Sequence, residues 1–331
     1  MQAIMNAKAG DPRRLRIIEA PLPELKSDQV LVQLKAASIN TADVQTYKNF
    51  YQTGQVSWHT KLFDKLYVHG ENKILGADGA GIVTAVGNAV QSFKVGDKIF
   101  GITDDYLHGS WAEYMAVSEK NLALKPKNLS FEEAAAIPTT AGTALAAIKK
   151  ANLRVKQKVL INGASGGVGL FALQIAKAHD AYVTTIVSDY NFDLVKKFGA
   201  DEVVDYKKVD ITQQEGLKFD VIIGVNGYHS VRDYKKVLIP GDTYISVGGI
   251  RQTLEAGAFG GILTLGEKTK IGMTSLFALK NNWVQELADL VNRGKLHPYL
   301  DQVFSFNEIH SAVKYAATQH LKGKVVLTMN K

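Results

Sequence analysis

The stretch that most restricts what this chain can become is 158–188, KVLINGASGGVGLFALQIAKAHDAYVTTIVS, in which a strand, a glycine turn, a helix and a second strand follow one another without spare residues. Lys158 to Ile161 are mostly β-branched or aliphatic, as a parallel strand covered on both faces requires. The turn Gly163-Ala164-Ser165-Gly166-Gly167-Val168-Gly169 follows at once. Behind it Val168, Phe171, Ala172, Ile175 and Ala176 recur at helical spacing, which predicts one apolar stripe laid against a sheet. Tyr182 to Val187 then has the composition of the next strand.

Glycines in such a turn have a physical purpose. A pyrophosphate sits on a helix N-terminus when free backbone N–H groups point at it and no Cβ intervenes. Gly166 and Gly167 would allow that approach, and Gly169 would let helix and strand touch. Ala164 stands where G-x-G-x-x-G has its first glycine, so the pattern is A-x-G-x-x-G. The strand–turn–helix–strand context is what this motif requires; the alternative is a turn that serves packing alone.

A length of 331 residues suits two domains better than one core. No segment carries eighteen uninterrupted apolar residues, so no membrane span is expected. The N-terminus enters an alternating strand pattern without an apolar signal core, which points to the cytoplasm. Cysteine is absent, which excludes disulfides and thiolate metal sites. The net charge of +7 comes from 39 scattered basic residues, a pattern that favours a solvated surface and an anionic ligand over nucleic acid.

Residues 1–125 have the pattern of a separate β-rich unit. Leu15 to Glu19 and Gln29 to Ala36 alternate as half-buried strands, with Pro21 and Pro23 marking a loop between them. Asn40 or Thr41 caps a short helix reaching Tyr47. Residues 50–73 show neither helical nor strand period and are long for a connection, so they are expected as a flap beside a pocket or as a surface excursion.

Five ordered motifs then carry a resemblance: G-A-D-G-A-G-I-V-T-A-V-G from Gly76, V-G-D-K-I-F-G from Val95, G-S-W-A-E-Y from Gly109, I-P-T-T-A-G-T-A from Ile137, and the glycine turn. Together the chain resembles the medium-chain dehydrogenase/reductase superfamily, most of all its zinc-free quinone oxidoreductase branch. The resemblance implies an α/β fold: a Rossmann doubly wound parallel sheet plus a β-rich, GroES-like, partly open barrel. It implies a catalytic domain over 1–125, a dinucleotide-binding domain over 126–276, and a return to the first domain over 277–331.

In zinc members of the superfamily the metal is held by a cysteine, a histidine and a third ligand; the corresponding residues here are Asn40, Ala77 (followed by Asp78) and Thr139, which do not form a zinc set. His59 and His69 in the long loop, and His310 and His320 on a late helix, show no ligand spacing with a carboxylate. A carbonyl reduced without a Lewis acid must delocalise its own charge. The expected acceptors are therefore quinones and α,β-unsaturated carbonyls, taking hydride from a nicotinamide. The resemblance places Asn40 and Tyr51 near nicotinamide and substrate, Tyr51 as hydroxyl donor and Asn40 as orienter. Helix capping for Asn40 and flap packing for Tyr51 are the other readings, and Tyr47 is an alternative donor.

Ser130-Phe-Glu-Glu133 is a capping box ahead of a helix interrupted near Pro138. The resemblance puts Thr143 near the cofactor phosphates, with Gly163 to Val168 around the pyrophosphate. NAD enzymes place an acid at the end of the second strand. Ser188 takes that position with Asp189 after it, and the resemblance sets Tyr206 beside the adenine ribose with Lys207 and Lys208 adding positive potential, so NADPH is favoured over NADH. Against this, Tyr190 and Asn191 stand where the branch often has a basic residue. Val225 and Asn226 (before Gly227), with Val247, Gly248 and Gly249, end two further strands that the family pattern sets against the nicotinamide. Residues 254–267 are apolar and glycine-interrupted, and Lys270 to Leu276 form an edge strand that pairs with a second subunit in relatives, so a homodimer is expected. Amphipathic helices from Trp283 to Arg293 and Phe306 to His320, and a strand from Gly323 to Thr328, complete the chain. The readings of another class are a cofactor-binding redox sensor or a crystallin-like nucleic-acid-binding protein with little catalysis, and among enzymes a zinc-independent alcohol dehydrogenase.

Overall fold

The computed structural model describes residues 1–6, 10–56, 73–226, 229–248, 250–264, 268–280 and 282–329. Of the flap expected at 50–73, residues 57–72, with His59 and His69, lie outside these residues, as do Gly227 and Gly249. The chain forms two compact units: one of residues 1–139, 281–293 and 298–331, the other of 140–280 and 294–297. The crossing at Thr139 comes later than the expected 125/126, because the helix capped by Ser130 and Glu133 rests on strands of the first unit.

The elements in chain order begin with β1 (Gln2–Asn6), β2 (Leu15–Glu19), β3 (Gln29–Ile39), α1 (Thr41–Thr53), β4 (Asp78–Val86), β5 (Lys98–Ile102), β6 (Tyr114–Ser118), β7 (Leu122–Leu124) and α2 (Phe131–Ala135). The middle of the chain holds α3 (Pro138–Ala151), β8 (Lys158–Asn162), α4 (Gly167–Ala178), β9 (Tyr182–Val187), α5 (Phe192–Lys197), β10 (Glu202–Asp205), β11 (Phe219–Gly224), α6 (Val231–Val237), β12 (Leu238–Ser246), α7 (Ile250–Leu263) and β13 (Lys270–Met273). It closes with α8 (Trp283–Asn292), β14 (Leu300–Ser305), α9 (Ile309–Thr318) and β15 (Lys324–Thr328).

In the first unit β3 is the hub. Its Gln29–Gln33 half pairs with β6 and its Ala36–Ile39 half with β15, while β4 runs along the other edge. The β3–β4 register slips between Leu34 and Ala36, and a Cβ on Gly81 would stand 2.1 Å from the Gln33 carbonyl oxygen, so the glycine-rich segment is the price of the bend. Tyr47, Trp111, Leu34 and Phe306 fill the core beneath, each such burial contributing roughly 1.5–3 kcal/mol. The sheet is open, in the order β14-β15-β3-β4-β5-β7.

The second unit is a parallel six-stranded sheet in the order β10-β9-β8-β11-β12-β13. Counted from its own first strand this is 3-2-1-4-5-6, the doubly wound order, with the switch point between β8 and β11. Two expectations change. Helix α4 is buried from Gly169 through Ala176 rather than along one stripe, because Leu170 and Leu173 make its other face apolar as well. The glycine-interrupted run at 254–267 is helical as far as Leu263, within α7, where a Cβ on Gly260 would stand 2.7 Å from the Ile271 carbonyl oxygen of β13. The glycines let α7 lie against the last strand, leaving β13 at the sheet's edge among the described residues.

Candidate active site

The switch point brings the glycine turn and the end of β11 together. Gly163 has φ +86°, and a Cβ there would stand 2.7 Å from Asn226 N. The Asn162 carbonyl accepts the N–H groups of both Val225 (3.0 Å) and Asn226 (3.1 Å), while its side-chain amide donates to the Tyr234 hydroxyl. Asn162, absent from the sequence-based site, is the tie that fixes one strand end to the other. The next strand end joins them: Val247 N–H donates to the Gly224 carbonyl at 2.9 Å, and a Cβ on Gly248 would meet the Val225 carbonyl at 2.3 Å.

The glycines of the turn divide by purpose. A Cβ on Gly169 would stand 2.2 Å from the Gly163 carbonyl oxygen and 2.6 Å from Ala164 Cα, so Gly169 is required by the approach of α4 to the turn. Gly166 is the N-cap of α4 with an ordinary φ of −79°, and nothing lies within 4 Å of where its Cβ would be. That is a cradle a side chain would fill, at the positive end of a twelve-residue helix, and it fits the pyrophosphate of a dinucleotide. Ala164 is buried, whereas Ser165, Gly167 and Val168 are half-exposed around the opening. Thr143 is half-buried on α3 of the same unit.

At the neighbouring corner Ser188 follows the last residue of β9, buried, with Asn191 Nδ2 3.4 Å from its hydroxyl. Tyr206 is 54% exposed beside it, its N–H directed to the Val187 carbonyl at 3.4 Å. Two residues acquire weight here. Asp205 ends β10 in register with Val187; its carboxylate is buried, accepts the Lys207 N–H, and has Lys208 Nζ 3.6 Å away. Lys207 Nζ lies 5.7 Å from the centre of the Tyr190 ring, so the cation absent at 190 and 191 reaches the same corner from the next strand.

The first unit holds a buried polar cluster at the N-terminus of α1. Asn40 is the N-cap, and the Asp43 carboxylate reaches back to its N–H at 2.7 Å. The Asn40 amide is held from both ends: Oδ1 accepts from Lys324 Nζ at 2.6 Å, and Nδ2 donates to Asp78 Oδ1 at 2.9 Å. Asp78 also accepts from the Ser38 hydroxyl at 2.5 Å and from the Thr139 N–H at 2.9 Å. Lys324, which sequence reasoning passed over, donates to the Ile39 carbonyl at 3.1 Å as well. Burial pushes its ammonium below the usual lysine range, and the carboxylates of Asp78 and Asp43 pull the other way.

Tyr51 is on α1, not in a flap: the helix runs on to Thr53 and is closed by Gly54 in the left-handed region, φ +72°. Tyr51 continues the inward stripe of Val44 and Tyr47, half-buried, its ring edge-on to Phe50 at 5.9 Å. Burial raises its hydroxyl above the usual tyrosine value, so it is a proton-bearing donor at neutral pH. Eleven positions of helix separate it from Asn40, about 16 Å along the axis, so the structure does not gather the two at one atom. Tyr47 is fully buried, its hydroxyl accepting from Asn6 Nδ2 at 2.7 Å.

Comparison with known proteins agrees with this architecture. Residues 26–127 match the alcohol dehydrogenase GroES-like domain, and 198–327 match the zinc-binding dehydrogenase domain. The mitochondrial NAD(P)H oxidoreductase RTN4IP1 of Homo sapiens is 32% identical over 330 residues, an alignment covering 91% of this chain and 82% of the relative. The 2-methylene-furan-3-one reductase of Solanum lycopersicum is 31% identical, with 92% and 73% covered. Among solved structures, the quinone oxidoreductase of Coxiella burnetii has a TM-score of 0.83 at 27% identity, covering 100% of this chain and 99% of that one. Fold, cradle and relatives together define an oxidoreductase that uses a nicotinamide dinucleotide. The chain belongs to the medium-chain dehydrogenase/reductase superfamily, with the quinone oxidoreductases among its relatives.

One family description names zinc, and the side chains at the matching positions do not fit it. Asn40 offers an amide already held by an ammonium, Ala77 a methyl group and Thr139 a hydroxyl. Among the described residues no three His, Cys, Asp or Glu side chains converge on one point.

Proposed function

We propose that the protein is a metal-independent, NADPH-dependent reductase of quinones or α,β-unsaturated carbonyls. The observation that carries this reading is the Lys324–Asn40–Asp78 cluster. A fixed ammonium stands 2.6 Å from the amide at the position where zinc relatives have a ligand, so a divalent ion there would meet like charge. Without a Lewis acid, the acceptor must spread the negative charge left by hydride over its own conjugated system. When bound, the reduced nicotinamide supplies that hydride.

The chain's residues do the rest. The turn from Gly163 to Val168 holds the pyrophosphate on the N–H groups of α4, with Thr143 beside the phosphates. Ser188 and Tyr206 receive the 2′-phosphate, with Lys207 adding positive charge at that corner and Lys208 offsetting Asp205. Val225, Asn226, Val247 and Gly248 bound the nicotinamide side. Asn40 orients the reacting groups, and Tyr51, protonated at neutral pH, donates its hydroxyl hydrogen bond to the acceptor oxygen. A proton from water then completes the hydroquinone or saturated carbonyl. The open edge of β13 is the surface for a homodimer. No described helix is long and apolar enough to cross a membrane, and we place the protein in the cytoplasm, although RTN4IP1 is mitochondrial.

Stopped-flow oxidation of NADPH and of NADH against 1,4-benzoquinone, 2-alkenals and simple ketones, with and without a chelator, tests the proposal. The expected result is chelator-insensitive turnover of the conjugated acceptors with NADPH. Turnover of simple ketones alone, or loss of activity to the chelator, would sink it.

A further inference from the structure

Lys324 comes from β15, 284 positions from Asn40, and its side chain is buried with the ammonium directed at one atom of one amide. An ammonium only donates and an ionised carboxylate only accepts. With Lys324 on Oδ1 and Asp78 on Nδ2, flipping the Asn40 amide would set N–H against ammonium and carbonyl against carboxylate. Both ends are therefore fixed by groups that cannot exchange roles. Asp78 is itself fixed by the Ser38 hydroxyl and the Thr139 N–H, and the Asn40 backbone by Asp43. The clamp also stands an ammonium behind the carbonyl oxygen, which polarises the amide and strengthens its N–H groups as donors.

We infer that Lys324 is a positioning residue for hydride transfer: it acts through Asn40, locking the amide in the one orientation from which it orients the reacting groups and strengthening its N–H groups as donors. The inference rests on the reading of Asn40 given above. It assigns to a lysine on the far strand a part in the reaction although it touches neither cofactor nor acceptor.

The test is a double-mutant cycle on the full-length protein, with saturating NADPH and 1,4-benzoquinone. Lys324→Met is expected to lower kcat about 30-fold while changing the NADPH dissociation constant less than about twofold. Asn40→Ala is expected to lower kcat by a similar factor, and Asn40→Ala/Lys324→Met by no more than the worse single variant. A second full loss when Lys324→Met is added to Asn40→Ala overturns the inference, as does wild-type kcat in Lys324→Met. Should Lys324→Met fail to fold, Lys324→Met/Asp78→Asn removes the opposing charges together and is expected to fold with the same loss of kcat. A readout that needs no turnover is the Asn40 side-chain amide pair in 15N NMR, expected to shift in Lys324→Met. An unchanged signal overturns the clamp even if the reductase reading holds. A shifted signal in a wild-type protein that reduces no acceptor keeps the clamp and sinks the reductase reading.

Discussion

The two sites that share this chain are built from opposite materials. The dinucleotide cradle of the second unit is made of backbone: an uncovered Gly166, a close contact at Gly169 and strand ends tied by the Asn162 carbonyl. The cluster of the first unit is made of side-chain charge, with Lys324, Asn40, Asp78 and Ser38 brought from β15, the start of α1, β4 and β3 into contact at 2.5–2.9 Å. A site of backbone tolerates solvent and binds whatever presents phosphate. A site of buried charge must be complete, because each member is stable only while its partner is present.

The sharpest way to break this contrast is Asp78→Ala, which removes one of the two carboxylates that offset the buried Lys324 ammonium and leaves the Ser38 hydroxyl and the Asn40 amide without their acceptor. It is expected to cost about 3–5 kcal/mol by urea denaturation, far more than any loss in the cradle's open part. Next in size is Ser188→Asp. A carboxylate about 5 Å from a 2′-phosphate costs on the order of 3 kcal/mol, so NADPH affinity measured by fluorescence titration is expected to fall about 100-fold with NADH affinity unchanged or improved. Gly169→Ala is expected to destabilise by about 1–3 kcal/mol, because its Cβ meets backbone that cannot retreat. Gly166→Ala is the sharpening counterpart: stability within about 0.5 kcal/mol of wild type and NADPH affinity roughly tenfold weaker, since the methyl group enters open space a phosphate would occupy.

The smallest effect lies outside both sites. Burial of Asp105 acts to raise its carboxyl, but the His108 ring at 2.7 Å and the N–H groups of Leu107 and His108 outweigh it, and the group is held at about 2 instead of 3.8. A lowered carboxyl stabilises the fold above its unfolded value and loses that contribution as pH falls through the folded one. Asp105→Asn is therefore expected to flatten the loss of Tm between about pH 4 and pH 2 while leaving Tm at neutral pH slightly lower. The side chain is half exposed, so the change is small.

The same contrast decides what could be read from sequence. The cradle was legible because its requirements are local: three glycines within four residues, a β-branched strand before them and an apolar helix behind. The cluster was not. Lys324 in GKVVLT has the look of a polar residue at a strand's outer end, and only the pairing of Val325 with Ile39 turns its ammonium toward Asn40. Asp78 did carry a signal, a lone acid opening a glycine- and valine-rich strand, which needs a partner if that strand is buried. Tyr51 lies at the start of the expected flap, 50–73, on residues that belong to α1; the mark of this in the sequence is Gly54, the C-terminal cap that lets α1 run through Phe50 and Tyr51. Helix α7 was obscured by the glycines that let it approach β13.

The β3–β15 ladder has a consequence for the order of assembly. Nearly all of the nucleotide-binding unit lies in one continuous span, 140–280, whereas Lys324 meets Ile39 across 285 positions of sequence. Contacts that distant form slowly and late. A newly made polypeptide is expected to gain affinity for its coenzyme while still unable to reduce anything, with competence arriving only when β3 and β15 find each other.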